Sequence, residues 1–249
     1  MDDERLLNAI LLAGTILLES GAEIRRVEDT MVRMARNIPE VLEADSYVTL
    51  TGIMFSMTTE HQTYTKICRV HSGKVNLNQI DQVNNLSRKM ADQVYSIDEI
   101  ENELIQIKNE KRLPFYQTLL FSAISASAFS LFFDGGLIEA CIAFFIGLAI
   151  RMVNALCEKY RLNAFLNTSC AAALATLMTI IIYHFYKNFN FNIVIISGFM
   201  LLVPGLAITN AIRDTIAGDT ISGLARATDA FLCAVAIAAG SGIILYTCL

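Results

Sequence analysis

Asn210, Arg213 and Asp214 stand at i, i+3 and i+4, a spacing that puts an amide, a guanidinium and a carboxylate on one helical face. Asp219, Arg226 and Asp229 follow within a few turns. Arginine grips a carboxylate at two points with a planar fork of donors. A carboxylate in a dry setting can carry a proton. The set therefore suits binding of a small carboxylate-bearing molecule together with a coupling proton. The structural alternative is a re-entrant turn held by Arg213–Asp214 and Arg226–Asp229 pairs, since buried charges need partners. Ionisable groups at membrane depth default to function, which favours the first reading.

These residues follow a long apolar run that ends at Pro204-Gly205. Proline removes a backbone donor and glycine loosens a helix. In lipid, freed backbone groups persist only where protein or a water-filled cavity satisfies them. Interrupted helices of this kind build substrate sites in many transporters. The stretch reads as a permeation site rather than a passive anchor. Glu139, inside another apolar segment, is a second intramembrane acid; the alternatives are function or an interfacial side chain. Asn154, Asn163 and Asn167 fall near segment ends, where they cap helices.

The elements that must carry these groups follow from charge. The first 112 residues hold 31 of the 43 charged side chains, 13 basic and 18 acidic, which accounts for the net charge of −5. An acidic domain excludes a nucleic-acid surface. The remaining 137 residues contain charge-free runs at 113–133, 162–186, 188–212 and 230–249, plus an apolar segment at 136–153 that closes at Arg151. About 20 mostly apolar residues cross a bilayer. The expected architecture is an α-helical integral membrane protein, with five transmembrane helices in 113–249 preceded by a small cytoplasmic α+β domain in 1–112. The acidic opening Met1-Asp2-Asp3-Glu4 and the short Leu6–Leu18 stretch do not form a signal peptide. In a five-span arrangement eight basic residues fall on one side and Lys187 alone on the other. Basic residues collect inside, so the N-terminus is expected in the cytoplasm and the C-terminus outside.

Within the first domain, Leu7, Ile10, Leu11, Leu17 and Leu18 recur at helical spacing. Ser20 and Glu23 fit a capping box ahead of a helix carrying Val27, Met31 and Met34, which stops near Asn37-Ile38-Pro39. Ser46–Thr58 suits strands, with Gly52 at a bulge or bend, and Tyr64–Val70 is another β segment. Helices are expected from Leu77 to Val94 and, capped by Ser96 and Glu99, from Ile97 to Ile107. Glu23, Arg26, Glu28 and Asp29 belong to the most charged patch. It is a solvated helix face, or else a contact with the membrane half or a catalytic acid cluster. Cys68, Cys141, Cys157, Cys170, Cys233 and Cys248 show no C-x-x-C and read as reduced packing thiols. His61, His71 and His184 lack ligand spacing, so neither a metal nor another cofactor is expected. Ser122, Ala126 and Ser130 form a small-residue stripe for helix packing or for a second subunit, and Ala238/Gly242 form another.

Ser20-Gly21-Ala22-Glu23 with Arg26-Val27-Glu28-Asp29-Thr30-Met31 resembles the N-terminal signature of the threonine/serine exporter family. Pro204-Gly205, Asn210-Ala211-Ile212-Arg213-Asp214, Gly218-Asp219, Ser222-Gly223 and Arg226 resemble its membrane signature, in the expected order. The resemblance implies an inner-membrane exporter with a cytoplasmic domain and about five spans. Longer members carry a second membrane module. A chain ending at Leu249 resembles the split members, whose second module is a separate small membrane subunit. Such pairs are associated with amino acids or with small dicarboxylates such as succinate. The expected function is thus a subunit of a secondary exporter of threonine/serine or a small dicarboxylate, coupled to proton movement. Its partners would be the bilayer, a small-molecule substrate and either the second subunit or further copies of itself. The alternatives are a membrane-tethered enzyme, favoured by a nucleophile–base pair in 1–112, and a regulatory subunit, favoured by closed packing around Arg213 and Asp214.

Overall fold

The computed structural model describes residues 3–71, 73, 75–110 and 113–248. The chain divides into two compact units, 1–111 with 209–226, and 112–208 with 227–249.

The first unit is built around helix α1 (Asp3–Glu19), whose leucines and isoleucines are buried on several faces. Around it lie α2 (Ile24–Arg36), strands β1 (Val41–Thr49), β2 (Gly52–Thr59) and β3 (Thr63–Arg69), and helices α3 (Leu77–Asp92) and α4 (Ile97–Lys108). The strands form an antiparallel sheet in the order β1-β2-β3. The apolar residues of central β2 alternate, so Ile53, Phe55 and Met57 point into the core and Met54 points out. Leu6, Ile10, Leu17, Met31, Met34 and Leu104 complete that core. Each large apolar side chain buried this fully stabilises the fold by about 1.5–3 kcal/mol.

Two local expectations change. Ser46–Thr58 is a hairpin rather than one bent strand. Thr49 pairs with Gly52, so Gly52 opens β2, and the register irregularity lies between Val41 and Glu43 instead. The Ser20/Glu23 capping box does not form. Ser20 Oγ donates to Gln79 Oε1 at 3.0 Å, and Glu23 occupies the N-cap position of α2 without a capping bond, its carboxylate engaged by arginines. The same motif at Ser96/Glu99 does form and starts α4.

The second unit holds α5 (Phe115–Phe132), α6 (Leu137–Lys159), α7 (Ala164–Phe185), α8 (Phe191–Phe199), the start of α9 (Gly205–Ala217) and most of α10 (Thr220–Cys248). Helices α5, α6, α7 and α10 are long and apolar enough to cross a membrane. Their outward apolar side chains, such as Phe121, Phe145, Ile181 and Phe231, are exposed in the protein itself, as lipid-facing surfaces require. This is a helical, multi-pass membrane protein. The run 188–212 is not a continuous helix. Asn190 caps α8 through the N–H groups of Asn192 and Ile193, and Leu202 and Val203 both donate to the Phe199 carbonyl, closing the helix before Pro204. A nine-residue helix rises only about 14 Å, half of the hydrocarbon thickness.

The Ser122/Ala126/Ser130 stripe is used inside the chain. Ser122 Oγ donates to the Gly147 carbonyl at 3.0 Å. A Cβ on Gly147 would lie 2.7 Å from the Ser122 carbonyl oxygen and 2.9 Å from Ala126 Cβ. Helix α6 therefore covers Ser122 and Ala126, and Ser130 is buried beside Gly135, so the stripe is used within the chain rather than offered to a second subunit. Ala238 is exposed, and a Cβ on Gly242 would meet nothing within 4 Å.

Candidate functional site

Residues 209–226 form an elbow: the body of α9, a link through Gly218, and the first turns of α10. Gly218 has φ +102°, a left-handed conformation that other side chains rarely take, so glycine is required at this reversal. The elbow packs within the first compact unit, against the turn between α1 and α2. Gly21 in that turn has φ +84° for the same reason.

The turn exposes backbone groups that neither helix satisfies, and the elbow supplies their partners. Asn210 Nδ2 donates to the Gly21 carbonyl at 2.9 Å. Arg226 Nη2 donates to the Ala22 carbonyl at 2.7 Å. The Ile24 N–H, first of α2, donates to Asp214 Oδ1 at 3.1 Å. Asp214 thereby caps a helix that begins 190 residues earlier. Its other oxygen, Oδ2, sits 2.9 Å from Arg226 Nε. This is an ion contact without hydrogen-bond alignment, since neither atom has a hydrogen-bond partner among the described residues. The Asp214 side chain is 1% exposed and that of Arg226 12%. Burial pushes the Asp214 carboxyl up, against the downward pull of the Ile24 N–H and Arg226; Asp219 and Glu23 push it up further.

Beside this sealed pair, Glu23 Oε1 takes Arg26 at 3.3 Å and also Arg213. Both guanidinium groups are about half exposed. Glu28 Oε1 accepts the Val48 N–H at 2.8 Å, which ties α2 to β1. Burial raises the Glu28 carboxyl, the Val48 N–H lowers it, and nearby Asp219 and Asp29 raise it. Asp29 meets Arg25 at 3.8 Å on an open surface, a pair of little energetic weight.

Glu23, Arg26, Glu28, Asn210, Arg213, Asp214, Asp219 and Arg226 are thus brought to one corner of the first unit, with Asp29 on its rim. The pairing differs from the nearest-in-sequence choice. Arg226 meets Asp214 rather than Asp229, and Arg213 meets Glu23 rather than Asp214. Pro204, Gly205, Asp229 and Glu139 lie in the second unit. Asp229 is exposed on α10. Glu139 closes two helix starts: Oε2 accepts the Gly136 N–H at 2.9 Å and Oε1 the Asn190 N–H at 2.8 Å. Asn163 caps α7, whereas the buried Oδ1 atoms of Asn154 and Asn167 have no hydrogen-bond partner among the described residues. The carbonyls of Gly21 and Ala22 and the N–H of Ile24 are part of the site but invisible to side-chain reading. Gly21, in a turn that must reverse the chain, was the one available hint.

The profile of the family described as "Putative threonine/serine exporter" matches residues 8–248. The chain is 24% identical to the "Probable succinate transporter subunit YjjP" of Escherichia coli (strain K12) over 228 residues, 91% of this chain and 88% of that protein. It is 23% identical to the protein of the same description from Klebsiella aerogenes over 225 residues, 90% of this chain and 86% of that one. No solved structure matches the chain significantly.

Proposed function

The chain belongs to the threonine/serine exporter family, and on that premise we propose that this membrane exporter subunit moves small carboxylate-bearing metabolites out across the inner membrane. The substrate class is threonine/serine or a small dicarboxylate such as succinate, and export is coupled to proton movement. The dicarboxylate reading draws on relatives described as succinate transporter subunits. Their description as subunits also supports assembly with a second small membrane protein of the family, with self-assembly as the other form.

Residues 1–112 act as the cytoplasmic domain and 113–249 supply the membrane part. Parity supports five crossings. Residues 209–226 pack with the N-terminal domain and so share its side of the membrane. Crossings by α5, α6 and α7 carry the chain to the far side. The chain returns between Tyr186 and Ile208, through α8 and the Pro204 break, and α10 makes the fifth crossing. The eight-to-one distribution of basic residues puts the N-terminal domain inside.

One observation supports the reading: the elbow that follows the Pro204 break is fastened to the N-terminal domain by an arginine–carboxylate contact, Arg213–Glu23, beside the hydrogen bonds that Asn210, Asp214 and Arg226 make to the α1–α2 turn. Such an ionic contact can be exchanged for a substrate carboxylate, and the elbow joins that event to the broken crossing and to α10. The closed packing of Asp214 gives that residue a structural share in the task, while exposed Arg213 remains open to a ligand. Efflux of succinate, serine and threonine from loaded proteoliposomes tests the proposal, with this chain alone and with its genomic neighbour. Efflux of at least one substrate by the pair is expected. No efflux of any of the three by a well-assembled pair contradicts it.

A further inference from the structure

The ionic groups around the α1–α2 turn divide into a sealed pair and a trio in which a largely buried carboxylate, Glu23 at 16% exposure, is held by two half-exposed arginines. Asp214 and Arg226, 1% and 12% exposed, have fixed duties: one caps α2 and the other holds the Ala22 carbonyl. Glu23 has no such duty. It occupies the N-cap position of α2, but its side chain bonds no helix N–H, and Asp214 takes the first one. Its Oε1 is instead held by two guanidinium groups, Arg26 at 46% and Arg213 at 53% exposure.

We infer that Glu23 is a built-in competitor: its carboxylate occupies a carboxylate-binding site made by Arg26 and Arg213, and a small carboxylate-bearing metabolite enters by displacing it. The inference rests on the proposed export function and names the atoms that first take the substrate. Exchanging one carboxylate for another leaves the charge beside the two arginines unchanged, so no lone cation is created. Both arginines keep about half of their surface in water, which weakens each contact and lets the Glu23 carboxylate leave. Two converging guanidinium groups supply more donors than one carboxylate oxygen uses, so an incoming carboxylate can take a bidentate grip. The sealed Asp214–Arg226 pair keeps the elbow docked during the exchange. Arg213 lies on α9, so replacing Glu23 by a free ligand cuts the ionic tie between α9 and the turn. Entry of the substrate thereby loosens the elbow.

Calorimetric titration of the full-length protein in detergent tests this, with succinate and L-threonine as probes. A site blocked by its own side chain has an apparent affinity reduced by the fraction of time it is open. Glu23→Gln keeps the shape and removes the competing charge. It should bind at least one probe about tenfold tighter than the unaltered protein. Adding Arg213→Ala should abolish that gain. Glu23→Asp, which draws the carboxylate back by one methylene, should give a smaller gain and serves where Glu23→Gln does not elute as a folded species. A folded variant that binds neither probe more tightly overturns the inference. An equal gain for inorganic sulfate also overturns it, since the trio would then be a general anion patch. Tighter binding without efflux would sink the export proposal and leave this site standing; efflux without tighter binding would do the reverse.

Discussion

Asp214 and Ile24 meet at 3.1 Å across 190 residues of sequence, the carboxylate of one capping the helix that starts at the other. The contact makes the N-terminus of α2 depend on the elbow between α9 and α10. Whatever moves the elbow also uncaps α2. Helix caps contribute roughly 1 kcal/mol, and the charge opposite Arg226 adds to it in a nearly dry setting. The pair therefore links stability of the first unit to the position of the segment that follows the Pro204 break.

Removing one member of this pair should be costly. Asp214→Ala leaves Arg226 unpaired at 12% exposure, and a loss of roughly 3–5 kcal/mol is expected. Asp214→Asn with Arg226→Gln should cost less than the sum of the two single changes. Thermal unfolding in detergent measures all of these. Strict additivity would mean that the two side chains do not interact.

Glu28 should make the first unit more stable as pH falls from neutrality. Its carboxyl is raised by burial, partly offset by the Val48 N–H, and raised again by Asp219 and Asp29. A carboxyl with a raised folded value takes up its proton in the folded state before the unfolded chain does. Stability therefore increases on acidification toward the ordinary carboxylate range and is lost as pH rises through the raised value. Asp214 has the same sign. Glu28→Gln, whose amide oxygen still accepts from Val48, should flatten this dependence without loss at neutral pH. A steep pH profile retained in Glu28→Gln would assign it to other groups.

The sequence showed the local devices and missed the long-range ones, for physical reasons. Ser96/Glu99 and Ser20/Glu23 carry the same capping pattern, yet only the first forms. Gln79 takes Ser20 while Arg26 and Arg213 take Glu23, and of these Gln79 and Arg213 arrive from far along the chain. Hydropathy saw 188–212 as one apolar run because it measures composition and not hydrogen bonding. Pro204 marked the site of the break, but the early closure onto the Phe199 carbonyl had no signature. Most of the charged site residues were legible as a set. Their pairing was not, although adjacent residues on a helix point apart, which already argued against an Arg213–Asp214 pair.

Gly147 should be intolerant of any larger side chain. A Cβ there would lie 2.9 Å from both Ala123 Cα and Ala126 Cβ on α5. Gly147→Val overpacks the contact, at an expected cost of about 1–3 kcal/mol. A lower melting temperature or a reduced monodisperse yield in detergent would show it. An unchanged melting temperature would mean that α5 and α6 do not pack through this stripe in the membrane.

Topology can be read by labelling intact cells with an impermeant thiol reagent, in a background lacking the native cysteines. A cysteine introduced at Glu60 should stay unlabelled until the membrane is opened. One introduced at Asn188, in the connection between α7 and α8, should label from outside. The reverse pattern would invert the proposed orientation. Labelling of both from outside would refute the odd number of crossings between them.

The most direct test of the account is efflux by Arg213→Ala, reconstituted with the second subunit and matched to the unaltered protein for assembly and melting temperature. Arg213 is half exposed, has Glu23 as its partner and takes no part in capping α2, so its loss should leave the fold nearly unchanged. The account predicts that efflux falls at least about tenfold, the loss of roughly 1.4 kcal/mol of interaction with the moving carboxylate. A correctly assembled Arg213→Ala protein that exports at the normal rate would contradict it.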